Sequence, residues 1–156
     1  MPSVRIAPLA EVPAQQGAVA DLLRITWPDY YGPGGRGDAA ADVAARSRTT
    51  GLPIGFVALG GGVVGTATLD AQSFGATDAA TGPWLIGLAV AVDARQSGIG
   101  SALVAAAEAH ATQSGAKAIY ATTRRAQGLL LRRNWVAQYV VTDDAGLDWQ
   151  VLSKAL

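Results

Sequence analysis

The sequence predicts a mixed α/β fold, a single domain over residues 1–156 with about six to seven strands flanked by about four helices. Three observations predict it. The chain has 156 residues, 50% of them hydrophobic and 15% charged, a composition that suits one sizeable core and argues against disorder. Short apolar runs rich in β-branched residues alternate with stretches of helical period, in the order strand, two helices, three strands, helix, strand, helix, two strands. No internal repeat and no linker-like stretch divides that order.

Val4 to Ile6 begins a strand that Pro8 limits. Gln15 to Trp27 carries Val19, Leu22, Leu23, Ile25 and Trp27 at helical spacing, which predicts an amphipathic helix with Pro28 after it. A loop follows through Pro33-Gly34-Gly35-Arg36-Gly37, and Asp38 is placed to cap a second helix that runs through Val43 to Arg46. After the turn Gly51-Leu52-Pro53, Ile54–Leu59 and Val63–Leu69 form two strands, and Gly60-Gly61-Gly62 between them is a hairpin signal. Asp70 to Gly82, rich in Ala, Thr, Gly and Ser, is a loop. Leu85, Ile86, Leu88, Val90 and Val92 are too short and too branched a run for a long helix and predict a buried central strand, ended by Asp93 and Ala94. Ser101 to Ala111 is a strong helix-forming stretch, stopped by Gly115. Ala118–Thr122 then forms a strand, Gln127–Arg133 a short helix, and Trp135–Val141 with Leu147–Leu152 two strands about the turn Asp143-Asp144-Ala145-Gly146.

Composition excludes several classes of function. Twelve Lys plus Arg balance twelve Asp plus Glu, so charge gives no reason to expect nucleic acid or an anionic membrane as a partner. No apolar segment is long enough to span a bilayer, and the first residues lack the order of a signal peptide, so the expectation is a cytoplasmic protein. With no cysteine there is no disulfide, thiolate metal site or cysteine nucleophile, and one histidine rules out a multi-histidine metal site.

The stretch Pro83 to Leu103 carries the chemistry. It reads as a strand, a tight turn with Gly98 and Gly100, and the start of a helix. At such a start the backbone N–H groups lack intrahelical partners and the helix dipole turns its positive end outward, which together suit phosphate oxygens. A dinucleotide fingerprint would need Gly or Ala where Leu103 stands, and a P-loop would need Gly-Lys-Ser/Thr, which is missing. What remains, Arg95-x-x-Gly98-x-Gly100, resembles the Gln/Arg-x-x-Gly-x-Gly/Ala signature of the GNAT superfamily of acetyl-CoA-dependent N-acetyltransferases. Pro83-Trp84-Leu85, Val90, Ile99 and Leu103 resemble the rest of that family's central motif, and the order of elements resembles its fold over nearly the whole chain.

The resemblance implies a central mixed, mostly antiparallel sheet and acetyl-CoA as cosubstrate, with no metal. Backbone groups of Leu88, Ala89 and Val90 would pair with the pantetheine arm, and the amides from Gln96, Ser97, Gly98, Ile99, Gly100 to Ser101 would take the pyrophosphate. Arg95 is either a further phosphate contact or a solvated turn residue, and Ser101 either a contact or a plain helix residue. The run Thr123 to Trp135 is similar to the family's Asn-x-x-Ala-x-x-x-Tyr pattern followed by Gly-Phe or Gly-Trp: Ala126 and Trp135 match, Thr123 replaces Asn, and Asn134 stands for Gly. Leu130 departs from it, holding the place of a tyrosine that protonates the departing thiolate in many relatives. General acid catalysis is worth about 10²- to 10⁴-fold, so an enzyme without it would be slow rather than dead.

No glutamate lies on the central strand to serve as base. Asp70 is the nearest candidate or else a strand-ending turn residue, and Tyr120 is a second candidate or else packing. Trp27, Asp29, Tyr30 and Tyr31 fall where the family's acceptor loop lies, a carboxylate among aromatics that suits a cationic amine, and Trp84 could line the acceptor end. The implied reaction is direct attack of a primary amine, of a small molecule or peptide, on the thioester. The alternative is an acyl-CoA-binding sensor that has lost catalysis. A homodimer through the last strands is the expected assembly, if any.

Overall fold

A computed structural model describes residues 3–156. Seven strands form one sheet: β1 (Arg5–Pro8), β2 (Ile54–Leu59), β3 (Val63–Asp70), β4 (Trp84–Val90), β5 (Ala118–Thr123), β6 (Val136–Thr142) and β7 (Asp148–Ala155), in the spatial order β1-β2-β3-β4-β5-β7-β6. Every neighbouring pair is antiparallel except β4 and β5, which are parallel. The helices are α1 (Gln16–Thr26), α2 (Pro28–Tyr31), α3 (Ala39–Arg46), α4 (Ile99–Gln113) and α5 (Gln127–Arg132). Among the described residues no helix is long and apolar enough to cross a membrane.

Strand alternation sends two sets of side chains to opposite faces. On one face Phe56, Ala67, Leu69, Leu85, Ile119 and Leu152 meet Ile99, Leu103, Val104, Ala107 and Ala111 of α4 and Leu130 of α5. On the other, Val57 and Ala7 meet Val19, Ala20 and Leu23 of α1 and Val43 of α3. Helix α1 also packs against β3 and β4. The second half of that face carries no helix. There the segment after β3 folds back, with Thr122 donating to the Phe74 carbonyl, Tyr139 donating to the Gly75 carbonyl at 2.7 Å, and the Phe74 ring meeting Trp149 edge-on at 6.1 Å.

Several expectations need correction. Pro28 does not merely end α1; it occupies the first turn of α2, where its missing N–H costs nothing. Ile25 is 72% exposed, so it lies off the buried stripe of α1, and Trp27 sits beyond the helix with 36% of its surface exposed. The central strand stops at Val90, and the exposed Val92 begins a 3-10 turn through Ala94. Helix α4 begins two residues earlier than its composition marks, at Ile99.

Candidate functional site

The site grows from the way β4 leaves its neighbours. Toward β3 the register runs Thr68 with Ile86 and then Thr66 with Ala89, so Gly87 and Leu88 together face Ala67 in a bulge. Gly87 has φ +59°, left-handed backbone that glycine adopts without a steric penalty. Toward β5 only Trp84–Tyr120 and Leu85–Ala121 pair, after which the two parallel strands diverge. Since Ala89 is partnered with Thr66 and the N–H of Ala91 donates to Val64, alternation turns the peptide groups of Val90 to the edge that β5 has left. The Val90 carbonyl there accepts Arg95 Nε at 3.1 Å.

The chain then turns through Gln96, at φ +64°, and Gly98, at φ +81°, which caps α4. A Cβ at Gly98 would meet nothing within 4 Å, so its glycine answers to backbone angle and not to crowding by the protein. Gly100 is a packing position: a Cβ there would lie 3.2 Å from Leu129 of α5. Among the described residues the N–H groups from Gln96 to Ser101 donate to no protein acceptor. They open into a cleft of about 640 Å³ bounded by Val90, the 95–101 turn, Leu129 and the end of α5.

Every charged side chain on the wall of that cleft is a cation: Arg95, Arg132, Arg133 and Lys154. Two of them are held by Glu108, which α4 carries into the interior. Its carboxylate accepts Arg133 Nε at 3.1 Å and Nη2 at 2.8 Å, Lys154 Nζ at 3.0 Å and Trp135 Nε1 at 2.9 Å. Arg133 also donates to Ser101 Oγ at 3.1 Å, which ties the end of α5 to the first turn of α4. Burial alone would raise the Glu108 pKa, but the hydrogen bonds from Arg133, Trp135 and Lys154 outweigh it and hold the carboxyl below its ordinary range. A phosphate in the cleft would meet unsatisfied N–H groups, a helix N-terminus and fixed cations, so these residues fit a diphosphate.

The structure brings Val90, Arg95, Gln96, Gly98, Ile99, Gly100 and Ser101 to one cleft. Leu88 and Ala89 precede it on β4, and the Ser97 hydroxyl turns back to donate to the Ala94 carbonyl. The catalytic and acceptor candidates are scattered. Asp70 Oδ1 accepts the N–H of Ala71 at 2.7 Å, as a strand-ending turn residue does. Tyr120 stacks on Trp84 at 5.2 Å, and Trp84 is 1% exposed, which leaves no face for an acceptor. His110 is half-buried and meets Phe56 edge-on at 5.7 Å. Leu130 lies in the core beneath α4, while the α5 residues on the cleft are Leu129 and Arg132.

The aromatic cluster forms around a different carboxylate from the one expected. Asp29, Trp27 and Tyr30 are exposed, with the Tyr30 ring edge-on to Tyr31 at 4.7 Å. Tyr31 instead donates to Asp42 Oδ2 of α3 at 2.6 Å. Burial and that hydrogen bond push the Tyr31 phenol up to about 12, against a smaller opposing effect of Arg46. Sequence reasoning missed Asp42, Arg46, Glu108, Arg132, Arg133 and Lys154. One signal was available: Glu108 is the lone carboxylate in an alanine-rich helix, and a charge at a buried helical position needs partners.

Three comparisons bear on the chain. An aminoglycoside 6'-N-acetyltransferase complexed with coenzyme A superposes with a TM-score of 0.79 at 20% identity, covering 97% of this chain and 96% of that one. The aminoglycoside 6'-N-acetyltransferase from Enterococcus faecium gives 0.78 at 20% identity over 97% and 96%. Ard1 from Thermoplasma volcanium gives 0.75 at 16% identity over 98% and 97%. At such identities these likenesses speak for the fold. No curated protein matches in sequence. The family model for the acetyltransferase (GNAT) family matches residues 19–133, from within α1 past the end of α5, a span that holds every residue lining the cleft but Asn134 and Lys154. The chain therefore belongs to the GNAT acetyltransferase family, whose cosubstrate is acetyl-CoA.

Proposed function

We propose that the protein transfers an acetyl group from acetyl-CoA to a primary amine of a small molecule or peptide by direct nucleophilic attack. The observation that carries this reading is the run of N–H groups from Gln96 to Ser101 without protein acceptors, opening into a cationic cleft at the free edge of β4. Those N–H groups, with Arg95 and Arg132, hold the phosphates. Peptide groups of Leu88 and Val90 pair with the extended arm as an added strand would. Bound acetyl-CoA supplies the acetyl group as an activated thioester. The chain has no cysteine to carry it, so the amine takes it directly.

An amine of pKa about 10.4 must lose a proton to attack, which near neutral pH costs roughly 4 to 5 kcal/mol. Asp70 accepts the Ala71 N–H as a turn residue does and the Tyr120 ring stacks on Trp84, so this reading takes the proton out through water in the opening between β4 and β5. The test is calorimetry with coenzyme A, followed by release of free thiol from acetyl-CoA across a panel of amines. Micromolar binding with turnover of at least one amine is expected. Absence of binding overturns the reading.

Leu130 supports a second reading. It is apolar and 1% exposed where many relatives carry an acidic hydroxyl, which suits a binding module with weakened catalysis. Tight coenzyme binding with no turnover over a broad amine panel would select it.

A further inference from the structure

The last turn of α3 carries Arg46 across the sheet to the bulge of β4. A Cβ at Gly87 would lie 3.2 Å from Arg46 Nη1, so the guanidinium rests on the backbone where β4 has just parted from β5. Only 13% of the side chain is exposed. A cation so placed ordinarily has a close carboxylate. Here the paired group, Asp42 Oδ2, stands 3.9 Å from Nη2 and already accepts the Tyr31 phenol at 2.6 Å. The Asp42 carboxylate and the Tyr31 phenol are its only polar side-chain neighbours among the described residues, and two such partners leave part of the five-donor fork over. An i,i+4 pair of the ordinary surface kind would leave its arginine in solvent; this one points inward.

The surroundings place that guanidinium on a wall. On this face of the sheet α1 and α3 cover the first half and the folded-back 73–75 segment covers the second, with the parting of β4 and β5 between them. An acceptor that entered there would pass Arg46. A guanidinium fork with unfilled donors in a partly dehydrated setting takes a carboxylate by two parallel N–H···O bonds. We infer that Arg46 is the receptor for a carboxylate on the acceptor, and hence that the acceptor is an amine bearing a carboxylate a few bonds from its nitrogen, the class of free amino acids. The inference rests on the acetyl-transfer reading above. It also separates this chain from an enzyme for polycationic amines, which Arg46 would repel.

The test compares free amino acids with their carboxamides, with kcat/KM referred to the unprotonated amine because loss of the nearby carboxylate also makes the ammonium more acidic. The expected result is at least tenfold higher kcat/KM for the carboxylate form, carried in KM, with the preference abolished in Arg46→Met and largely lost in Arg46→Lys, which keeps the charge without the fork. Calorimetry with coenzyme A controls for folding and should be unchanged in both variants. Equal kcat/KM for acid and amide in the unmodified protein, or turnover confined to amines without an anionic group, overturns the inference while leaving acetyl transfer intact. Failure to bind coenzyme A overturns both.

Discussion

Gly98 and Glu108 define the site residue by residue, and each supports a distinct expectation. Gly98 sits at φ +81° with open space where a Cβ would project, so substitution strains the backbone without a clash. The strain of an L-residue there is about 1 kcal/mol, too little to unfold the chain. Gly98→Asp adds a carboxylate among the N–H groups meant for phosphate. Affinity for coenzyme A should fall more than tenfold by calorimetry while the far-ultraviolet circular dichroism is unchanged. Glu108 is a stability residue that acts on the cleft through Arg133 and Lys154. Because its pKa is depressed in the folded state, its contribution is present above the ordinary value of 4.5 and is lost as pH falls through the lower native value. Glu108→Gln should cost about 2 kcal/mol in denaturant unfolding near neutral pH, discounted because Arg133 and Lys154 keep 25% and 23% of their side-chain surface in solvent. The cost should shrink below pH 4. The glycines were legible in the sequence because a turn before a helix demands them. The cations were not, since Arg133 reads as a solvated helix end until Glu108, 25 residues before it, is known to face it.

Elements were legible where the pattern is long and local. The hairpin of β2 and β3, the alanine-rich α4 and the closing pair β6 and β7 all follow from periodicity and turn residues. The four residues of α2 were not, because one turn of helix has too short a period to show and Pro28 signals a stop as well as a start. The bulge at Gly87 was likewise hidden: it depends on register against β3, which no local pattern reports. The end of α5 was legible through chemistry. Asn134 adopts φ +70°, as the place of a family glycine implies, and the N–H of Trp135 donates to the Leu130 carbonyl at 3.0 Å. Asn134→Ala should therefore destabilise by about 1 kcal/mol in chemical denaturation, and Asn134→Gly should be neutral or better. A loss equal to that of Ala in the Gly variant would show that the amide side chain, and not the backbone angle, matters there.

At the scale of the whole molecule, order along the chain predicted the layers, and it did so because each strand's two faces must be covered. What it left unread is how the covering changes from helices over β1 to β4 to a returning loop over β5 to β7, since contacts such as Tyr139 with Gly75 join residues 64 apart. That change of cover leaves the middle of the sheet open. Among the described residues β4 and β5 pair only at Trp84–Tyr120 and Leu85–Ala121, with the Tyr120 N–H donating to the Pro83 carbonyl at 3.0 Å, so amide hydrogens along the inner margin of β5 beyond Ala121 should exchange faster than those of β3. A ligand threaded into that gap would act as a missing rung. Coenzyme A at a hundred times its dissociation constant should raise the unfolding free energy by about 2.7 kcal/mol, with the added protection concentrated on both banks of the gap and not spread evenly over the protein.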